Sequence, residues 1–464
     1  MTQLIKTPSH SLMAYHESPP FKVYTARQLD KIPQLRALPK DMQFEMRVVA
    51  QVLPFRVNDY VLEQLIDWQN IPDDPLFRLL FPQQDMLLAD DFSLIAKQLN
   101  GAVPDEQLAQ SVQAIRQKLN PHPAGQMDLN VPIFHRQRVP GLQHKYRETV
   151  LFFPSQGQVC HSYCSFCFRW PQFVGDKDLR FASTESEVLA NYLRHHKQVS
   201  DLLLTGGDPM VMKTAHLKLY LQGLLKPELA HIQSIRIGTK ALSFWPYRFV
   251  SDSDADDLLR LLHSLVKAGK HVAIMAHYNH WRELDTPIAQ EAIRRIRDTG
   301  AIIRAQGPLL NHINNDADVW ARLWKEQVRL GIVPYYMFMA RDTGAQHYFE
   351  VPLARAWDVY QTAMRRVSGL GRTVRGPSMS TSPGKVELQG ISTIKGEKVF
   401  VLRFIQARNP QWVQKPFFAK YDETATWLHH LTPAFGEKQF FYETEYHDMV
   451  QHRHEILQDL DGDC

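Results

Sequence analysis

The hydrophobic rhythm of the chain changes near residue 150. Before that point apolar residues recur at helical spacing. Asp41 to Val52, Asn58 to Trp68 and Asp105 to Leu119 each place them on one face, and Ile71-Pro-Asp-Asp-Pro75 reads as a turn or linker. From Val150 onward, apolar runs of strand length fall at 150–153, 201–205, 234–238, 271–276, 301–305 and 333–338. The segments between them are helical and have readable ends. Thr184 and Glu187 form a capping box for a helix running to about His196. Asp254 is placed to cap a helix that turns Leu258, Leu262, Leu265 and Val266 to one side and stops at Gly269. Thr286-Pro287 opens the next, with Ile288, Ala292, Ile293 and Ile296 inward and Gly300 at the stop. Asp316 or Asp318 opens another, ended by Gly331. Six strands alternating with helices predict an α/β protein with a parallel sheet, and periodicity does not choose between an open doubly wound sheet and a barrel.

After about residue 346 the alternation is expected to stop. Pro352 to Arg366 reads as a helix, Ser368 to Gly371 as a turn, and Ile391 to Phe404 as a hairpin turning at Lys395-Gly396. Three regions result: a helical scaffold over 1–140, a core over 141–345 and a mixed α/β region over 346–464. Composition narrows the class. With 464 residues, 44% apolar and 22% charged, the chain has the make-up of a soluble globular protein of two or three packed units. Its net charge of +4 and lack of Lys/Arg blocks argue against a nucleic-acid partner, and no apolar run is long enough for a membrane span. The first twenty residues carry Lys6, Glu17, two histidines and a Pro pair without an apolar segment, so no secretory leader is expected. With only four cysteines, this points to a reducing cytoplasm.

Three of those cysteines lie together in Cys160-His-Ser-Tyr-Cys164-Ser-Phe-Cys167, directly after the first strand, while Cys464 is terminal and remote. Thiolates select zinc, copper(I) or iron–sulfur clusters. A four-iron cluster normally takes four cysteines, so three would leave one iron open. Zinc would need a fourth ligand, from His161 or a distant histidine, and its motifs usually pair cysteines. A disulfide with a spare thiol is the weaker alternative. After the second strand comes Leu204-Thr-Gly-Gly-Asp208-Pro, where glycines admit a ligand to the backbone and a carboxylate can hold an ammonium group.

The C-x3-C-x2-C spacing resembles the signature of radical S-adenosylmethionine (SAM) enzymes, in which SAM takes the open iron. That resemblance implies a partial (β/α)6 barrel with its chemistry at the C-terminal strand ends, where Cys160 to Cys167, Gly206 to Asp208, Gln306 and Arg341 all fall. More narrowly, residues 141–390 resemble the lysine 2,3-aminomutase family, which also uses pyridoxal phosphate (PLP). The matching stretches are Gly141-Leu-Gln-His-Lys-Tyr146, Ser165-Phe-Cys-Phe-Arg169-Trp, Ile235-Arg-Ile-Gly238, His277-Tyr-Asn-His280, Gln306 with Leu309-Leu310, Pro334-Tyr-Tyr336 and Thr381-Ser-Pro-Gly-Lys385. The resemblance implies that Cys160, Cys164 and Cys167 hold a [4Fe-4S] cluster and that Gly206, Gly207, Asp208, His277 and Gln306 bind SAM. It further implies that Lys385 is the Schiff-base lysine of PLP with Tyr146 beside it, and that Arg169 holds the substrate α-carboxylate. Lys385 lies seventeen residues after Ser368, as in the family, but the family's glycine run before it is replaced by Ser378-Met-Ser-Thr-Ser-Pro-Gly384. A family arginine before the first strand corresponds to Thr149, with Arg147 nearby. The implied reaction is movement of an amino group from Cα to Cβ, initiated by a radical from SAM. The implied partners are a free amino acid, an electron donor of flavodoxin or ferredoxin type, and further copies of the chain.

The substrate reading turns on two departures. Lysine-specific members grip the distal ammonium with two aspartates, and the corresponding positions here are Arg341 and Ser378. Like charges about 4 Å apart repel by roughly 4 kcal/mol at an effective dielectric near 20, so an ammonium is disfavoured and an acidic side chain favoured. A one-residue shift would instead bring in Asp342. The alternatives are a true lysine 2,3-aminomutase, a protein-lysine aminomutase, and a radical SAM enzyme without PLP.

Overall fold

The computed structural model describes residues 18–101, 103–120, 129–174 and 186–462. Its centre is one mixed sheet of eleven strands: β1 (Leu142–Tyr146), β2 (Thr149–Phe152), β3 (Asp201–Leu204), β4 (Ser234–Thr239), β5 (His271–His277), β6 (Ile302–Leu309), β7 (Val333–Met339), β8 (Arg375–Ser380), β9 (Gly384–Ile394), β10 (Glu397–Ala407) and β11 (Pro416–Lys420). Their order in space is their order in sequence. Strands β2 to β8 run parallel, and β1, β9, β10 and β11 are antiparallel to their neighbours. The order never reverses, so the sheet lacks the switch point of a doubly wound fold. Right-handed crossovers then leave their helices on one face.

Alternation explains how the strands bury that face. In β3 and β4 every second residue is buried, with Leu202, Leu204, Ile235 and Ile237 fully so. They share a core with Leu258, Leu262 and Leu265 of helix Ala255–Lys267, Ile293 and Ile296 of Pro287–Asp298, and Trp320 and Trp324 of Ala317–Arg329. The expected helix stops hold: Gly269, Gly300 and Gly331 all have positive φ. At Thr286 the hydroxyl accepts from the Ala289 N–H, as a cap should. Asp254 sits at its cap position but makes no cap bond. Its carboxylate accepts from the Thr214 N–H and from buried Arg248, whose charge is the stronger claim.

Two other expectations change. Asn58 to Trp68 is not one helix. Arg56–Asn58 pairs as a short strand with Val23–Thr25, and a short helical stretch over 59–65 and a single turn at Trp68–Asn70 follow. The Asn58 side chain accepts from the Val61 N–H, ending extended chain and starting a turn. The βα alternation also runs one unit past residue 346, through helix Leu353–Arg365 into parallel strand β8. Arg375-Gly-Pro-Ser-Met-Ser380 has one large apolar residue, so its burial among small residues left no hydrophobic run to read. The expected hairpin is present but longer, from Gly384 to Ala407, with Lys395 and Gly396 both at positive φ in its turn. The Thr184 cap and Cys464 lie outside the described residues.

The N-terminal region has its own core, in which Val48, Val49, Leu62, Leu65, Leu76, Phe77 and Phe81 cluster. Trp170, Phe244, Trp245, Leu310 and Phe349 join that core from loops that follow the sheet strands. The region therefore packs over the C-terminal strand ends. Among the described residues no helix is long and apolar enough to cross a membrane.

Candidate active site

The cysteine loop leaves β2 after Phe152 and carries Cys160, Cys164 and Cys167 as partly buried free thiols. Burial pushes all three thiols up. At Cys160 and Cys164 the other thiols add to the rise, whereas Arg169 opposes it at Cys167. Held as thiolates in this setting, they call for a cationic centre. Among the described residues no three His, Cys, Asp or Glu side chains converge on one metal ion.

Gly206 and Gly207 run directly beneath this loop. A Cβ on Gly206 would lie 2.3 Å from the Gln158 amide, and one on Gly207 would lie 2.6 Å from the backbone of Gln158 and Val159. The Asp208 N–H donates to the carbonyls of Gly157 (3.0 Å) and Val159 (2.9 Å). Its buried carboxylate accepts from Met210 N–H (2.9 Å), Thr239 Oγ1 (2.7 Å) and Lys240 N–H (2.9 Å). Burial raises it to about 6 in spite of these bonds. Asp208 thus braces the loops after β2, β3 and β4, and the side chain faces protein partners.

His277 ends β5, and Gln306 in β6 is its register partner. The His277 ring stacks on Phe166 of the cysteine loop at 5.8 Å. Burial, with Lys240 nearby, lowers its pKa to about 3 against an opposing contact with the Asn279 side chain, so the ring is neutral. Next to it is a buried pair that sequence reading missed. Lys240 Nζ bonds Glu283 Oε1 (2.5 Å), Asn279 Oδ1 (3.0 Å) and the His277 carbonyl (3.2 Å). Fully buried Glu283 also accepts from Ser243 Oγ and from the N–H groups of Asn279 and His280. The only sequence signal was the i, i+3 spacing of His280 and Glu283, which form a capping box.

Lys385, Tyr146, Arg169 and Arg341 line one cavity of about 210 Å3, together with Lys145 and Arg236. Lys385 is paired in register with Ser380 and Gln406, and its Nζ lies 4.2 Å from the Tyr336 ring centroid. Burial, reinforced by Arg236 and Arg375, lowers its pKa to about 7. Arg169 lies over the Phe153 ring at 4.2 Å and Arg341 over Phe168 at 4.9 Å. Arg169 Nη1 and Arg341 Nε are buried with no hydrogen-bond partner among the described residues. Burial lowers Arg169 to about 10. Arg236 is paired with Asp201, which also accepts from Thr149 Oγ1. No carboxylate is among the described residues that line the cavity.

Lys145 is a third residue that sequence reading missed. Burial, with Arg408, Arg341 and Lys385 nearby, pushes it well below the ordinary lysine range, and its Nζ donates to the Thr381 carbonyl. Simple alternation would send Lys145 and Tyr146 to opposite faces. A register shift in β1 between Gln143 and Tyr146 allows both to line the cavity. Arg147 is exposed and not among the lining residues. Ser378 is fully buried in β8, with its hydroxyl on the Met337 carbonyl. Asp342 lines an adjoining outer cavity of about 680 Å3, whereas Arg341 lines both.

No family model matches the chain. Among curated proteins, one from Aquifex aeolicus named for L-lysine 2,3-aminomutase is 30% identical over 403 residues, which is 87% of this chain and 94% of the relative. The L-lysine 2,3-aminomutase of Bacillus subtilis is 22% identical over 94% of this chain and 86% of its own. The glutamate 2,3-aminomutase of Clostridioides difficile is 28% identical over 46% of this chain and 47% of its own. Among solved structures, Streptococcus suis SuiB bound to S-adenosylmethionine aligns with 58% of this chain and 56% of its own at 14% identity and a TM-score of 0.34, too low to carry an argument. The extent and identity of the Aquifex match show that the chain belongs to the lysine 2,3-aminomutase family.

Proposed function

We propose that this chain is a radical SAM, PLP-dependent amino-acid 2,3-aminomutase built on a partial (β/α)6 barrel, and that it moves the amino group of an acidic amino acid from Cα to Cβ. The observation that carries the reading is the cavity itself. A buried lysine poised near neutrality shares it with two arginines whose buried nitrogens lack partners among the described residues, and no described carboxylate lines it. Such a site suits a ligand with several anionic groups, and it offers nothing to pair a second ammonium.

When bound, the [4Fe-4S] cluster and SAM supply a 5′-deoxyadenosyl radical, and PLP supplies the electron delocalisation that nitrogen migration needs. The chain's own residues do the rest. Cys160, Cys164 and Cys167 ligate the cluster, and the backbone of Gly206 and Gly207 with His277 and Gln306 lines the SAM site. Lys385 presents a neutral amine to the PLP carbonyl, as its lowered pKa favours. Tyr146 sits beside the cofactor, and Lys145 adds positive charge. Arg169 is two residues from Cys167 and lines the same cavity, so it joins the two sites and holds the α-carboxylate. Arg341 holds the side-chain carboxylate. In this reading residues 1–140 form a scaffold over the strand ends that excludes water, 141–345 the core, and 346–464 the region that carries Lys385. A flavodoxin- or ferredoxin-type donor, a homo-oligomeric state and a cytoplasmic location complete it.

A second reading, true lysine 2,3-aminomutase, is favoured by the names of most of the relatives. Anaerobic protein supplied with iron, sulfide, PLP, SAM and a reductant is offered the twenty amino acids, and products are read by chromatography and mass spectrometry. β-Glutamate or β-aspartate without β-lysine is expected. β-Lysine overturns the acidic-substrate assignment and points to Asp342. SAM cleavage without any β-amino acid overturns the free-amino-acid mutase.

A further inference from the structure

The cysteine loop has little structure of its own. Between Cys160 and Cys167 its internal backbone bond among the described residues is from the Cys167 N–H to the Cys164 carbonyl (3.1 Å). Most of the other hydrogen bonds that hold it come from the N-terminal region. The backbone N–H of Asn58 donates to Ser162 Oγ (3.1 Å). Its Nδ2 donates to the carbonyls of His161 (3.3 Å) and Phe244 (2.8 Å), and its Oδ1 accepts from the Val61 N–H (3.0 Å). The Arg56 carbonyl accepts from the Tyr163 N–H (2.8 Å), and the Leu79 carbonyl accepts from both the N–H (2.9 Å) and the hydroxyl (2.8 Å) of Ser165. Four of the five residues that separate the cysteines are therefore held from outside the loop. Asn58 is the hub of this arrangement. It is fully buried, it has a long-range bond to either side, and through Phe244 it ties the loop to the segment that follows β4.

We infer that Asn58 is a positioning residue for the iron–sulfur centre, clamping the cysteine loop so that its three thiols are spaced for the cluster before iron arrives. The inference rests on the cluster reading above and extends it, because it gives the N-terminal region a part in building the metal site. The chemistry singles out asparagine. One side chain must donate to two carbonyls and accept from one N–H, and an amide does all three. Aspartate keeps the acceptor but sets a charge against two carbonyl oxygens. Serine keeps the turn cap at Val61 but gives up the paired donors. Ligand supports of this kind fix geometry ahead of binding, and their loss typically weakens metal retention by about tenfold or more.

The test uses the full chain with Asn58→Ser and Asn58→Asp, and Gln98→Ala as a control. Gln98 bonds Ser111 within the same N-terminal region (2.8 Å). In iron-free protein, the alkylation rates of Cys160, Cys164 and Cys167 are followed by peptide mass spectrometry. In anaerobically reconstituted protein, iron loss to a ferrous chelator and the electron paramagnetic resonance spectrum of the reduced centre are followed. Asn58→Ser is expected to melt somewhat below wild type but to stay folded at the assay temperature, to alkylate and lose iron about tenfold faster, and to show an altered spectrum. Asn58→Asp is expected to do the same more strongly, and Gln98→Ala to leave both rates unchanged. Wild-type rates in Asn58→Ser, or equal acceleration in Gln98→Ala, overturn the clamp. A wild-type chain that takes up no iron overturns the cluster reading and the role assigned to Asn58 with it. The alkylation rates would still report whether Asn58 holds the loop.

Discussion

The three cysteines of the first loop occupy eight consecutive residues, whereas Tyr146, Arg169, Arg341 and Lys385 come from four separate parts of the chain to line one cavity. The first arrangement is short-range in its ligands and long-range in its support, since Arg56, Asn58 and Leu79 hold the segments between the cysteines. The second is the reverse. Its side chains are scattered: Tyr146 and Lys385 stand in strands of one sheet and Arg341 just past the end of another, where register does the positioning, while Arg169 comes from the far end of the cysteine loop. The contrast teaches where each half of the site is vulnerable. A thiol cannot be replaced by a neighbour, whereas a cavity with several cations can lose one and still bind an anion.

Removing a thiol should therefore have the largest effect. Cys164→Ala is expected to abolish iron uptake and the cleavage of SAM to 5′-deoxyadenosine. A variant that keeps its brown colour and still cleaves SAM would break the comparison, because the cavity alone would then be doing the chemistry.

Lys385→Ala comes next. It should remove the visible absorption of bound PLP and the adduct fixed by borohydride, and lower turnover at least about a thousandfold, with iron content unchanged. Lys145→Ala should keep the adduct, although both amines face the same cavity. The pH dependence sharpens the assignment. Because Lys385 titrates at about 7 rather than in the ordinary lysine range, its reactive neutral form grows as pH rises through about 7 and disappears below it. PLP uptake measured against pH should follow that curve, and a rise only in the alkaline lysine range would mean an unperturbed amine.

Reversing the charge of Arg341 tests specificity within the cavity. Arg341→Asp removes an attraction for a carboxylate of about 4 kcal/mol at 4 Å and an effective dielectric near 20, roughly a thousandfold, and sets a repulsion in its place. The ratio of kcat/KM for the acidic substrate over lysine should fall by at least about that factor. An unchanged ratio would show that Arg341 does not touch the substrate side chain.

The smallest effect expected is at Gly207. An alanine there would place its Cβ 2.6 Å from the Gln158 and Val159 backbone, so the cysteine loop must shift, at a cost of about 1–3 kcal/mol. Calorimetry should show a lowered melting temperature, and reconstitution a reduced iron content. Gly223→Ala, whose Cβ would meet nothing within 4 Å, should change neither.

Much of this molecule was legible in its residues. The six strands expected from apolar runs all occur within a few residues of their expected bounds, and the glycine stops at 269, 300 and 331 hold. These are local properties, because a two-residue or 3.6-residue period is written by neighbours in sequence. The spacing of the thiols was legible for the same reason. Strand β8 was not, since it is buried by position rather than by apolar content. The direction of the Asp208 carboxylate was not either, because its partners Thr239 and Lys240 lie some thirty residues away.

The amino-acid sequence by itself determined the alternation of strands and helices, the three-thiol loop and the candidate lysine. Tertiary structure decided which of these meet. It brought Lys145 into the Lys385 cavity through a register shift, paired Lys240 with Glu283 next to His277, and set Asn58 against a loop about a hundred residues further along. The physical reason is that a buried hydrogen-bonding group must find a partner wherever the fold presents one, and separation along the chain places no limit on that choice.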